Sequence, residues 1–267
     1  MIPIPNGPNN PINYPRANFS LLSPRIVDWD GKDDLKRNKN IMTTLLNKSE
    51  QSFSATSKLL KAIHDKQEGY LKSLGKDIVT FTKSARTTSP FITGLGSGHP
   101  TETGMILDRN TGLPYIPASS IKGVLRLAQA INCAISDDKN EINENDERIV
   151  KYFGTTQSAN EAKRGQLIIL DAYPADIPTL KLDIMNPHFG DYYEGKGAKQ
   201  PKETETPNPI KFLTIEKGTS FIFRCVFLPL QKDTCDKEEV DNMFETAFKT
   251  VGFGGKTAIG YGRFEIK

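Results

Sequence analysis

Residues 219–228 constrain this chain more than any other stretch, because Phe221, Phe223, Cys225 and Phe227 alternate there with Ile222, Arg224 and Val226. Side chains two apart in a strand share a face. The segment is therefore predicted to be a β-strand with one aromatic face that helices must cover, and Cys225 is expected to be a core residue with no redox role. Val240, Met243, Phe244, Ala247, Phe248 and Val251 recur at helical spacing and supply one such cover.

Three more segments have strand character. Residues 79–86 are rich in β-branched side chains and end at a Thr-Ser-Pro turn. Residues 166–171 are a continuous apolar run, expected to be a central strand covered on both sides. Residues 263–266 close the chain as a short strand.

Between the first two lies a second helix. Pro117 ends an extended segment, Ser119 or Ser120 can cap, and Ile121, Val124, Leu125 and Ala128 form the apolar stripe. Lys122, Arg126 and Gln129 share the opposite, polar face. Read in order, the elements are strand, helix, strand, strand, helix, strand. That is the α+β, ferredoxin-like (RRM-like) βαββαβ core, here with large insertions.

Outside this core, residues 1–50 read as an extended N-terminal arm, proline- and asparagine-rich at its start. Residues 51–267 read as one elaborated domain, a length that supports a full core. Within it, residues 54–75 place Leu60, Ile63, Tyr70, Leu71 and Leu74 at helical spacing among Lys58, Lys61, Lys66 and Lys72. His64 in that helix is read as a surface histidine. Residues 136–147 are acidic and read as a solvent-facing loop or short helix, turned away from any anionic partner. Residues 190–209 read as a mobile loop.

The chemistry is concentrated in residues 252–264, which hold five glycines, Lys256, Arg263 and the rings of Phe253, Tyr261 and Phe264. A glycine loop can turn several N–H groups onto a phosphate while the two cations supply charge. A tight turn before the last strand is the plainer reading of the same glycines. The start of the 117–129 helix adds a second phosphate-binding signal, free N–H groups beside Lys122. Residues 94–98 look like a dinucleotide fingerprint, but the spacing is wrong and no strand-turn-helix context surrounds them.

Other classes find little support. Net charge is 35 − 32 = +3, too small to demonstrate a nucleic-acid partner unless it is concentrated locally. Three cysteines lack metal spacing, and an odd number argues against a disulfide framework. No apolar run reaches membrane-span length and the N-terminus lacks a signal pattern, so a cytoplasmic protein without membrane contact is expected. His64, His99 and His188 are scattered, with no paired carboxylates or nucleophile–base set, so no cofactor, metal or catalytic group is expected.

Several segments resemble the RAMP family of CRISPR effector subunits, and specifically the type III-B (Cmr) effector, most closely its sixth subunit. They are Thr88-Ser89-Pro90-Phe91-Ile92-Thr93-Gly94-Leu95-Gly96 through His99-Pro100, and Gly112-Leu113-Pro114-Tyr115-Ile116-Pro117 leading into Ser119-Ser120-Ile121-Lys122-Gly123. Further on come Tyr152-Phe153-Gly154, residues 183–189, residues 208–213 and the glycine loop. The likeness runs from about residue 80 to the end. One departure is Ala118, where RAMPs usually carry glycine before the serine pair, so the turn there is either ordinary or remodelled.

The resemblance implies a non-catalytic, RNA-binding architectural subunit. It would contact the CRISPR guide RNA near its 3′ end, meet target RNA and the other Cmr subunits, and cap the backbone filament. Ser119, Ser120, Lys122, Arg126, Gly254, Gly255, Lys256, Thr257, Tyr261, Arg263 and His99 would form the RNA-binding set. The alternative is a RAMP-type, metal-independent endoribonuclease that processes precursor RNA with His99 or His188 as acid or base.

Overall fold

The computed structural model describes residues 17–25, 41–99, 103–138, 141–155, 162–186, 209–230 and 233–267. The main sheet is antiparallel with strand order β2-β6-β1-β7, where β1 is Val79–Thr87, β2 Leu167–Ile169, β6 Ser220–Phe227 and β7 Phe264–Ile266. A two-residue strand β3, Tyr173–Pro174, pairs with β6 beyond the end of β2. The longest pairing, β1 with β6, runs from Val79↔Phe227 to Arg86↔Ser220. A second sheet is the antiparallel pair β4 (Leu180–Met185) and β5 (Ile210–Ile215), joined to the segment after β1 by the bridge Phe91↔Ile215.

The alternation in β6 decides where the helices go. Phe221, Phe223, Cys225 and Phe227 are all essentially buried, and α4 (Ala118–Ser136) and α6 (Lys237–Thr246) pack on that side. The helix α6 continues into a π-helical turn, Ala247–Val251. Phe223 is the hub, with edge-to-face or tilted contacts to Phe248 at 4.9 Å, Phe253 at 5.3 Å and Phe264 at 5.7 Å. Each such ring removes apolar area worth about 1.5–3 kcal/mol, and the edge-to-face geometry adds to it.

The other sheet face is covered in part by α3 (Ser57–Ser73). Arg224, on β6, is 5% exposed, and its Nη1 donates to Gln67 Oε1 at 2.8 Å and to His64 Nδ1 at 3.1 Å. His64 Nε2–H donates to the Pro174 carbonyl at 2.8 Å, and Gln67 Nε2 to the Asp171 carbonyl at 2.9 Å. His64 is thus an anchor of α3 and not the surface histidine expected, because a buried guanidinium on β6 needs acceptors.

Other expectations also change. Residues 166–171 do not form a central strand: β2 is three residues long, lies at the sheet edge and leaves the ladder as Asp171 turns towards α4. The expected arm contains helix α1, Phe19–Leu22, and most of helix α2, Ile41–Ser54. Phe19 packs edge-to-face on Phe53 at 5.3 Å, and Asn18 caps α1 while its amide donates to the carbonyls of Arg109 and Asn110. These residues join the same buried cluster as the sheet, since an apolar stripe such as Phe19 and Leu22 cannot stay in water without cost. Within the acidic stretch Asp146 caps the short helix α5, Glu147–Phe153, by accepting from Arg148 N. Residues 187–208, which include His188 and nearly all of the predicted mobile loop, lie outside the described residues, as does the start of the arm.

Candidate nucleic-acid interface

The glycine segment leaves the π-helical turn and returns as β7. Its ends are held inside the protein: Phe253 N donates to the Gly262 carbonyl at 2.9 Å, and both Phe253 and Phe264 are buried. It is also stitched to the segment after β1. Gly255 N donates to Ile92 O at 2.8 Å, Gly262 N to Pro90 O at 2.9 Å, and Arg263 N to Ser89 Oγ at 3.0 Å. Gly254 has φ +80°, and a Cβ there would run into the Ile92 carbonyl, so glycine is required by both conformation and space.

Lys256 sits at the tip in the left-handed region, φ +62°. Its Nζ lies 5.1 Å from the Phe212 ring centroid and 5.8 Å from that of Tyr261, resting on two π-faces and on no carboxylate among the described residues. Tyr261 Oη donates to Asp183 Oδ2 at 2.6 Å, and burial together with that carboxylate pushes its phenol up to about 12. Arg263 Nη2 donates to the Thr257 carbonyl at 3.2 Å, which leaves Nη1 buried without an acceptor. Among the described residues, the N–H groups of Gly254, Lys256, Thr257 and Ala258 are not used by the loop's own hydrogen bonds. An exposed turn with four such N–H groups and a cation held on aromatic rings can bind an anion, phosphate being the natural one.

The start of α4 differs from the expectation in its cap. Pro117 occupies the cap position, and the acceptor is Asp171 Oδ1, which takes the Ala118 N–H at 2.7 Å. Ser119 and Ser120 are in the first turn and exposed. They are not caps, because the helix has already begun one residue earlier. Ala118 has no positive φ, so the turn before the serine pair is ordinary. Lys122 is half-buried and makes no ion pair among the described residues, and a Cβ at Gly123 would meet only open space.

Arg126 is employed internally, with Nη1 donating to the Gly154 carbonyl at 3.0 Å and Nη2 to the Glu144 carbonyl at 3.3 Å. Gln129 does not share an exposed face with Lys122; it is 2% exposed and donates to Glu239 on α6. His99 is half-buried against the α1 segment beside Ser23, and desolvation lowers its pKa from the ordinary 6.5. Two groups of candidates therefore emerge, the loop set Gly254, Gly255, Lys256, Thr257, Tyr261 and Arg263, and the helix-start set Ser119, Ser120 and Lys122. No hydrogen bond or ion pair among the described residues joins them. Asp183 and Phe212, which seat Tyr261 and Lys256, were not predicted as site residues. The alternation of Leu180, Leu182 and Ile184 against Lys181 and Asp183 is the signal for the strand that carries Asp183. Among the described residues there is no cluster of His, Cys, Asp and Glu that could hold a metal, and no helix is long and apolar enough to cross a membrane.

The chain's relatives are consistent with its motifs. A curated Cmr6 subunit of the CRISPR Cmr system of Pyrococcus furiosus is 31% identical over 235 residues, 68% of this chain, and the chain spans 66% of that relative's length. The Cmr6 subunit of Saccharolobus solfataricus is 26% identical over 257 residues, covering 94% of this chain and 81% of the relative. In fold, the chain matches a subunit in the cryo-EM structure of type III-B Cmr-beta bound to cognate target RNA, with a TM-score of 0.57 and 20% identity over 98% of this chain and 81% of that one. The RAMP superfamily model matches residues 84–265, which span β1 to β7 and both candidate groups. The chain belongs to the RAMP superfamily, as a Cmr6-like member.

Proposed function

We propose that this chain is a non-catalytic, RNA-contacting architectural subunit of a type III-B CRISPR effector. It holds the guide RNA near its 3′ end, lies along target RNA and caps the backbone filament, in the cytoplasm. The observation that carries the reading is the glycine loop: four N–H groups left outside its own bonding, with Lys256 held on Phe212 and Tyr261. Lys122, Ser119 and Ser120 offer a second backbone contact, over which Gly123 leaves open space. We read the order β2-β6-β1-β7, with α4 and α6 as its two crossovers, as the ferredoxin-like βαββαβ core. On that reading α1, α2, α3 and the β4–β5 hairpin are additions to it.

The endoribonuclease alternative draws no support from His99, which faces the α1 segment and not an exposed anion site. One experiment tests both readings. The purified chain is mixed with the sister subunits and a guide RNA, examined by native mass spectrometry, and separately incubated with labelled precursor and target RNA with and without divalent metal. A ribonucleoprotein containing the chain, with intact RNA in the incubations of the chain alone, is expected. Absence of RNA and sister subunits from every assembly would overturn the architectural reading. Cleavage lost on His99→Ala or His188→Ala would replace it with the nuclease.

A further inference from the structure

A cleft of about 590 Å³ opens between α4 and α6, and none of the candidate RNA-binding residues lines it. Its floor holds two polar atoms that are buried and unpartnered, Gln129 Oε1 and Asn132 Nδ2. The two residues are three apart on α4 and so share a face. Their other polar ends are committed: Gln129 Nε2 donates to Glu239 Oε1 at 2.5 Å, and Asn132 Oδ1 accepts from Thr246 Oγ1 at 2.7 Å. A buried acceptor and donor left unpaired each carry a desolvation cost, and native proteins normally relieve such costs with a partner.

The walls tell which partner. Asp236, Glu238, Glu239 and Glu245 line the cleft, and the one cation there, Arg148, is already bonded to Asp137 and Asp146. Among the described residues Glu239 accepts from two uncharged side chains, Gln129 and Tyr152, and forms no ion pair. Glu245 is paired with Lys249 at 2.6 Å in an exposed i,i+4 ion pair, so the unpaired acids are at the other end of the helix. This disfavours a phosphate backbone, which Asp236, Glu238 and Glu239 would repel. Three of the acids, Asp236, Glu238 and Glu239, cluster at the N-terminal end of α6, and the glycine loop follows its other end, where Glu245 lies. The ten residues of α6 separate the two by about 15 Å, at 1.5 Å per residue.

We propose that this cleft is a docking site for a basic segment of a neighbouring protein subunit. A lysine or arginine head donates to Gln129 Oε1 among the carboxylates, and a carbonyl of the same segment accepts from Asn132 Nδ2. Ile135, 72% exposed at the lip, is an apolar rest for the stem of that side chain. The inference rests on the reading of the chain as a subunit of a larger assembly. It divides the surface into an RNA side at the glycine loop and a protein side at α4 and α6.

The test uses Asn242 and Glu245, exposed residues that line the cleft from α6 and lie outside the RNA-contacting set. The effector is reconstituted from purified subunits with the wild-type chain and with the double variant Asn242→Lys/Glu245→Lys. The variant is expected to keep its circular dichroism and its affinity for single-stranded RNA of guide length, while joining the complex about tenfold or more weakly. Normal incorporation of the variant overturns the docking site and leaves the architectural function standing. Failure of the wild type to take up RNA or subunits overturns that function instead. A photo-reactive residue placed at Asn242 gives an independent measure that does not depend on the variant's stability. Cross-links to a Lys/Arg-rich peptide of a sister subunit are expected. Cross-links to RNA, to a segment without basic residues, or to nothing in the assembled complex overturn the proposal.

Discussion

The hydroxyl of Tyr261 and the carboxylate of Asp183 lie 2.6 Å apart, and their hydrogen bond fastens the glycine segment to the outer β4–β5 pair. Lys256 is seated between the same two elements, over Phe212 of β5 and Tyr261 of the loop. The placement of the loop's cation therefore depends on a hairpin that the main sheet does not contain.

Tyr261→Phe removes only the hydroxyl. Stability should fall by about 1 kcal/mol, the usual net worth of one such bond, or somewhat more because Asp183 is charged. Guide-RNA affinity should fall several-fold through looser placement of Lys256. Chemical denaturation and RNA titration on the same preparations measure the two effects, and unchanged RNA affinity would show that the hairpin does not position the loop's cation.

Lys256 permits a separation of backbone from charge. Lys256→Gly relieves the left-handed φ of +62°, whereas Lys256→Ala retains it, so the glycine variant should be the more stable of the two by roughly 1 kcal/mol. Both lose the cation, and both should lower the log–log salt slope of RNA binding by about one. If the glycine variant binds RNA with the wild-type slope, Lys256 is not a phosphate contact.

Lys122 and Arg126 should part company. Lys122→Ala is expected to weaken RNA binding evenly across sequences with little change in stability, and to reduce the salt slope by about one. Arg126→Ala removes two bonds from a charged donor to the Gly154 and Glu144 carbonyls, and should cost about 1.5–3 kcal/mol with the salt slope unchanged. Hydrogen exchange around residues 141–146 should quicken only in the second variant.

Acid should loosen α3. Burial, with the Arg224 charge contributing, holds His64 below the ordinary 6.5, although its bond to the Pro174 carbonyl pulls the other way. A histidine depressed in the folded state binds fewer protons there than in the unfolded chain. Stability is therefore intact above about pH 6.5 and declines as pH falls through and below it. Protonation at Nδ1 would also replace the acceptor that Arg224 uses. His64→Gln should flatten the decline between about pH 7 and 5, and His99, depressed by burial in the same sense, contributes to what is left. An unaltered acid profile in His64→Gln would mean that His64 does not govern the α3 anchor.

The features legible in the sequence are those written within a few residues. The two-residue period of β6 identified its buried face, and the spacing of Val240, Met243, Phe244 and Phe248 identified α6. The features that escaped are set by residues far apart in the chain. Ser119 and Ser120 have the chemistry of caps, but the acceptor is Asp171, 53 residues beyond the amide it serves. Gln129 looks solvent-facing from its register with Lys122 until α6 arrives to cover it. His64 looks idle until Arg224, 160 residues later, is placed beneath it. In the site, the loop's glycines and cations were visible in sequence. Their seat on Phe212 and Asp183 was not, because it comes from the pairing of β4 with β5.

Phe253 and Phe264, which bracket the glycine loop, belong to the ring cluster around Phe223. Composition would mark residues 254–262 as the part of the chain to open first, yet both hinges are embedded where the protein is hardest to open. The loop has no separate melting step available to it: its amides should exchange at the rate of whole-molecule unfolding near its ends. The anion site proposed for this loop would then be shaped before any ligand arrives, so binding would sacrifice little chain entropy and the loop would act as a fixed tooth instead of a closing flap.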